Sequence, residues 1–131
     1  MISSLYLSAT KTTPEVKFEP NGNLLWRGEA FPEDARSYFQ PILAWLRAYI
    51  NSTEANQVNT QTILKSQLFY FNSGSRPYIL NAVTILNQLA KKGKPVHIVW
   101  EYDSTGDMDE DDINFQELIE DFQISVEYHV I

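Results

Sequence analysis

The segment Leu68-Phe69-Tyr70-Phe71-Asn72-Ser73-Gly74-Ser75-Arg76-Pro77 turns a strand into a helix within a few residues. Four apolar residues in succession end the strand, and small polar residues reverse the chain. Pro77 then opens a helix, because its fixed φ and missing N–H suit a first helical turn. Upstream, residues 60–72 read as a strand carrying Thr62, Leu64, Leu68, Phe69, Tyr70 and Phe71. Its unbroken apolar end predicts a strand covered on both faces. Downstream, Ile79, Leu80, Val83, Leu86, Leu89 and Ala90 recur at helical spacing. Lys91-Lys92-Gly93-Lys94-Pro95 closes that helix with cations at the negative end of its dipole, then Gly, then Pro. Residues 96–102 alternate as a buried strand. Strand, helix and strand in this order make a β-α-β unit with parallel strands and a right-handed crossover.

Working toward the N-terminus, Phe39, Ile42, Leu43, Leu46 and Ile50 define another helical face. Phe31-Pro32-Glu33-Asp34 reads as its start, with a proline and two acids in the first turn. Pro41 lies inside the pattern and predicts a kink or short break near residues 37–40. Before this helix, Val16 and Phe18 alternate with Glu15, Lys17 and Glu19. Pro20-Asn21-Gly22-Asn23 supplies a turn tolerant of positive φ, so residues 15–19 and 24–29 predict a hairpin. Residues 4–9 offer a further short strand. Toward the C-terminus, residues 103–112 form an acidic loop. Phe115, Leu118, Ile119 and Phe122 predict a third helix over 113–122, and residues 124–131 alternate as a last strand. The predicted order is β-β-α-β-α-β-α-β in a single α/β domain spanning 1–131, a length suited to one core.

The 131 residues include 17 acidic and 10 basic side chains, for a net charge of −7. Residues 1–100 hold all ten Lys and Arg and six acids, a net of +4; residues 101–131 hold eleven acids and neither base, a net of −11. An acidic chain whose bases are scattered lacks the basic face that nucleic-acid binding requires. With no cysteine, disulfides, thiolate metal sites and cysteine nucleophiles are excluded. No apolar run approaches a membrane span; the absence of cysteine and of a signal peptide together favours the cytoplasm.

The Asn72–Arg76 turn admits two compatible readings. Ser73 or Ser75 caps the helix by accepting a first-turn N–H, or one of the two hydroxyls carries a phosphoryl group that the helix terminus stabilises. Arg76 can pair with such a phosphate or remain a solvated first-turn cation. Asp107, Asp109 and Asp111 are spaced like the first ligands of an EF-hand. The sixth position is Asp112 rather than Gly and the twelfth is Leu118 rather than Glu, so a metal-dependent hydrolase is the lesser reading. A solvated loop of Asp103, Asp107, Asp109, Glu110, Asp111 and Asp112 that steers a basic partner accounts for the acids better. A Ser73–His–Asp hydrolase lacks the Gly-x-Ser-x-Gly elbow it would need. His97 and His129 read as half-buried strand residues, and Trp26, Trp45 and Trp100 as core.

In these blocks the chain resembles the SiaC family of regulatory phosphoproteins. The resemblance rests on Thr10-Lys11-Thr12-Thr13-Pro14, Phe31-Pro32-Glu33-Asp34-Ala35, Phe39-Gln40-Pro41-Ile42-Leu43 with Trp45-Leu46, and Tyr70-Phe71-Asn72-Ser73-Gly74-Ser75. Val99-Trp100-Glu101-Tyr102-Asp103 and the acids at 107–112 complete it. It implies a STAS-like fold, similar to anti-sigma-factor antagonists, with a mixed sheet, an N-terminal hairpin and about three helices. It also implies a non-catalytic switch without a cofactor or resident metal. A histidine-kinase-like Ser/Thr kinase would phosphorylate it and a PP2C-type phosphatase would reverse this. The unphosphorylated form would bind an effector such as a diguanylate cyclase, in control of cyclic di-GMP and biofilm formation. By position, the phosphorylated hydroxyl falls on Ser73, with Ser75 second; Asn72 stands where the related antagonists carry Asp. Gly74, Arg76 and Pro77 depart from the family's Ser-rich run and its Lys. An unmodified structural adaptor is the remaining alternative.

Overall fold

The computed structural model describes residues 2–102 and 119–130. Six strands, β1 (Leu5–Leu7), β2 (Glu15–Phe18), β3 (Asn23–Ala30), β4 (Thr62–Phe71), β5 (Val96–Tyr102) and β6 (Ser125–Val130), form one sheet in chain order. β1, β2 and β3 are antiparallel neighbours, whereas β3, β4, β5 and β6 run parallel. Helices α1 (Ala35–Ile50) and α2 (Arg76–Lys91) make the first two crossovers. Of the helix expected over 113–122, residues 113–118 lie outside the described residues, and the described residues 120–122 are turn rather than helix.

The strand order explains why the sheet is covered on one side. The parallel strands are added one after another in a single direction. Right-handed crossovers that step the same way place their helices on the same face. Along β4, Thr62, Leu64, Ser66 and Leu68 are buried while Lys65 is exposed. Val16, Phe18, Leu24, Trp26, Ile98 and Trp100 continue the buried face. Among the described residues, nothing covers the opposite face. The expectation that β4 is covered on both faces is therefore corrected. The alternation of Lys65 and Gln67 with Leu64, Ser66 and Leu68 marked its open side.

Packing under the helices ties distant segments together. Phe39 of α1 stacks on Tyr78 of α2 with ring centroids 5.6 Å apart. Two pairs of buried polar groups satisfy each other: Trp26 Nε1 donates to Ser66 Oγ at 2.5 Å, and the Tyr49 and Thr62 hydroxyls meet at 2.6 Å. Trp26 and Trp100 are core, as expected; Trp45 is only half-buried and donates to the Ser3 carbonyl. Lys92, at the end of α2, donates to the Ile50 carbonyl at the end of α1. A cation there meets the negative end of the α1 dipole.

The hairpin turn demands glycine at position 22. Its φ is +99°, and a Cβ there would lie 2.3 Å from the Gln61 carbonyl oxygen. The close approach comes from the bond between the Ile63 N–H and the Gly22 carbonyl, which starts β3–β4 pairing. Helix α1 begins later than expected. Asp34 is its N-cap, accepting from the Ser37 N–H at 3.1 Å and the Ser37 hydroxyl at 2.8 Å, so Pro32 and Glu33 lie before it. The helix continues unbroken through Pro41. The Ser37 carbonyl that loses its donor lies on the exposed side, where water can replace the missing N–H.

Candidate functional site

The parallel strands deliver their carboxyl ends to one edge of the sheet, the edge at which open α/β sheets place ligand sites. Here β4 carries an irregularity. Gly28 pairs with Leu68 and Glu29 with Tyr70, so Phe69 is an extra residue. Gly28, at φ +123°, absorbs the matching distortion in β3. Such a bulge re-aims the side chains that follow it. Phe69 and Tyr70 are exposed in consequence, and Tyr70 meets the edge of Phe31 at 5.9 Å.

Pairing continues one residue past the strand, where the Asn72 N–H donates to the Ala30 carbonyl at 3.0 Å. The chain then winds into α2. The Asn72 carbonyl accepts from Ser75 N–H at 3.1 Å and from Arg76 N–H at 3.2 Å. The Asn72 side-chain oxygen also accepts from Ser75 N–H, at 2.9 Å. Asn72 thus does the work that the capping reading gave to a serine. Ser75 occupies the N-cap position, but its side chain makes no capping bond.

The two candidate hydroxyls differ sharply in access. Ser73 is exposed, whereas Ser75 is 0 % exposed and its Oγ has no hydrogen-bond partner. The Arg76 Nε is likewise shielded from solvent and unpartnered. Gly74 is exposed, and its φ is not positive. A Cβ there would meet only Asn72 Oδ1 at 3.8 Å, so the departure from a Ser-rich run is not forced by space.

Two other blocks share this edge. Thr10 to Thr13 closes a turn in which the Thr10 hydroxyl accepts from the N–H groups of Thr12 and Thr13. The Thr12 carbonyl accepts from Phe31 N–H at 2.8 Å. The Tyr38 hydroxyl donates to the Pro14 carbonyl at 3.2 Å, and burial pushes its pKa up to about 12. Blocks far apart in sequence thus flank the Ser73 turn, together with the aromatics Phe31, Phe69 and Tyr70, which sequence reasoning did not single out.

The histidines lie elsewhere. On the open face, His97 Nδ1 meets Ser125 Oγ at 2.9 Å, and His97 Nε2 meets Glu127 Oε1 at 2.6 Å. His129 Nε2 takes the other Glu127 oxygen. Bonds to His129 and His97 hold the Glu127 carboxyl below its ordinary pKa. His97 is half-buried as expected, but His129 is exposed. His97 pairs with Ile63 at the opposite end of β4. Ser73 is ten residues farther along, roughly 30 Å at strand rise. The separation removes any Ser73–His97 couple. Among the described residues, no His/Cys/Asp/Glu cluster suited to a metal ion occurs.

Asp103, Asp107, Asp109, Glu110, Asp111 and Asp112 lie outside the described residues. The strand that leads to them does not: β5 lies beside β4 and runs parallel to it. No helix among the described residues is long and apolar enough to cross a membrane.

Comparison with known proteins fits this geometry. Over 97–98 % of its length the chain superposes on two solved structures from Pseudomonas aeruginosa. One is SiaC, with a TM-score of 0.80, 22 % identity and all of that chain covered. The other is diguanylate cyclase SiaD in complex with its activator SiaC, with a TM-score of 0.80, 21 % identity and 99 % of that chain covered. An uncharacterised protein of P. aeruginosa strain UCBPP-PA14 is 23 % identical over 103 residues, 78 % of each chain. The family model for SiaC family regulatory phosphoproteins matches residues 7–129, nearly the whole sequence, and the chain therefore belongs to that family.

Proposed function

We propose that this SiaC-family protein is a non-catalytic cytoplasmic switch, one unit spanning 1–131, whose Ser73 is reversibly phosphorylated. The observation that carries the reading is the exposed Ser73 hydroxyl at the β4–α2 turn, beside a Ser75 hydroxyl that is fully buried. A kinase can reach the first and not the second. Ser73 Oγ would attack the terminal phosphorus of a nucleoside triphosphate held by a histidine-kinase-like Ser/Thr kinase. The new Oγ–P bond forms as the bond to the diphosphate breaks, and the hydroxyl proton passes to a base of the kinase. A PP2C-type phosphatase returns the hydroxyl by hydrolysis, releasing inorganic phosphate.

The unphosphorylated surface around Phe31, Phe69, Tyr70 and Ser73 binds an effector. A diguanylate cyclase is the class we favour, because the SiaC of P. aeruginosa is found with one as its activator. Regulation of cyclic di-GMP and biofilm formation would follow. The site is of the STAS-like strand-to-helix kind. The acids at 103–112 face a basic patch on the partner, so rising salt weakens the binding.

Co-expression with the cognate kinase, followed by intact mass, tests the site. One phosphate is expected on the wild type and none on Ser73→Ala. A phosphate that survives Ser73→Ala overturns the assignment, as does the absence of any mass gain. Affinity for the effector should fall on stoichiometric phosphorylation; an unchanged affinity removes the switch.

A further inference from the structure

Two polar side-chain atoms at the start of α2 are buried without partners: Ser75 Oγ and Arg76 Nε. They belong to consecutive residues at the same helix N-terminus. Unpartnered buried groups are rare in folded proteins, and each calls for an explanation such as an absent ion. The neighbouring backbone points the same way. The bond from Arg76 N–H to the Asn72 carbonyl spans four residues, so the chain from Asn72 to Arg76 is already wound as a helical turn. Ser73 and Arg76 are three residues apart on that turn, a spacing that sets Cβ atoms about 5–6 Å apart. Among the described residues, Arg76 has no ion-pair partner, and the N–H groups of Ser73 and Gly74 make no hydrogen bond.

We infer that Arg76 is the internal receptor for a phosphate on Ser73. The guanidinium presents Nε and Nη as a fork that matches two oxygens of a phosphate. The unphosphorylated protein holds this fork with its inner nitrogen unsatisfied. The phosphate supplies the missing acceptor, and the helix dipole adds to the attraction. The modification thereby acts on the chain itself: it anchors the turn and withdraws Arg76 from anything a partner could use. This inference rests on Ser73 as the phosphorylated residue.

Phosphoserine introduced at position 73 by genetic encoding tests the receptor without any kinase. Phosphorus NMR against pH reads the second ionisation of the phosphate, which lies near 6 when free. Phosphoserine encoded at the exposed Ser8 is the unheld reference. We expect the position-73 phosphate to ionise about one unit lower than the reference, since a cation within reach favours the dianion. Arg76→Gln should abolish most of that difference and Arg76→Lys should keep part of it. Equal values at positions 73 and 8 would overturn the receptor. So would a lowered value that Arg76→Gln leaves unchanged, because the helix terminus alone would then account for it. Should Arg76→Gln not fold, a position-73 phosphate in Arg76→Lys that titrates as in wild type overturns the fork. A phosphate that is held here but that no kinase adds to Ser73 removes the proposed function and leaves the receptor standing.

Discussion

Ser75→Ala should stabilise the protein, against the usual rule for a serine at a helix N-cap. A capping serine replaced by alanine costs about 1 kcal/mol, because a first-turn N–H loses its acceptor. Ser75 does not play that part: its N–H is taken by Asn72, and its Oγ is buried and bonded to nothing. A buried hydroxyl without a partner costs about 1–3 kcal/mol of desolvation, which alanine does not incur. Removing one oxygen from a packed site leaves a small void that takes back part of this. The net expectation is a gain of about 1 kcal/mol. For 131 residues, unfolding entropy of about 2.1 cal/mol/K per residue turns that into a rise in Tm of about 4 °C. In urea, with a slope of about 2 kcal/mol/M, the midpoint should move up by about 0.5 M. The reciprocal variant is Asn72→Ala, which removes the acceptor in use and should lower stability by about 1 kcal/mol. If Ser75→Ala instead lowers the urea midpoint as a lost cap would, Ser75 Oγ is bonded in the resting protein.

The remaining predictions concern the scaffold around the turn. Gly22→Ala should destabilise by roughly 2–4 kcal/mol, combining a positive φ with a Cβ 2.3 Å from a carbonyl oxygen, and denaturant titration reads it. Trp26→Phe leaves the Ser66 hydroxyl buried without its donor and should cost about 2 kcal/mol, more than half of which Ser66→Ala in the same chain should restore. Bonds from Ser37 hold the Asp34 carboxyl below its ordinary pKa, and bonds from His129 and His97 do the same for Glu127. A depressed folded pKa gives stability that is present above the unfolded value, near 4, and lost as pH falls through the folded one. Unfolding followed between pH 5 and pH 2 should therefore show a decline that is shallower in Asp34→Asn. Absorbance titration should find Tyr38 still protonated where exposed tyrosines have ionised near pH 10, because burial raises it to about 12.

The parts of the fold legible in the sequence are those with local causes. Asn21-Gly22 marked the hairpin, the spacing of Ile79, Val83, Leu86 and Leu89 marked α2, and Gly93-Lys94-Pro95 marked its end. The strand-to-helix turn around Ser73 was also legible, since strand, polar turn and proline follow one another directly. What was not legible depended on partners distant in the chain. The run Leu68–Phe71 reads as buried on both sides only if helices flank the sheet. One-way strand order puts both helices on one side and, with the bulge at Phe69, leaves Phe69 and Tyr70 exposed. The cap was misassigned because Ser75 and Asn72 are both good cap residues by type. The choice between them depends on Asn72 being held to β3 through the Ala30 carbonyl. Pro41 looked like a break because residue type does not tell whether water can reach the orphaned carbonyl.

The one-sided sheet also bears on how a small modification could control a partner. A switch in a rigid α/β layer has no obvious hinge, so its effect has to be local. The carboxyl edge suits this, because β4 and β5 run parallel and end there, and β5 leads directly into residues 103–112, which carry six acids. The aromatics Phe31, Phe69 and Tyr70 give that edge apolar contact area, which is cheap to desolvate. A phosphate on Ser73 adds about two negative charges to the same surface. A partner that dries those aromatics would then have to desolvate the phosphate as well, at a cost far above the apolar gain. Charge at the rim steers the encounter, and charge at the centre decides whether the interface can close. An arginine that holds the phosphate against α2 places it in the centre rather than free at the rim. On this reasoning the effector should discriminate against the phosphorylated protein chiefly through faster dissociation, while the acidic segment sets the salt dependence of association.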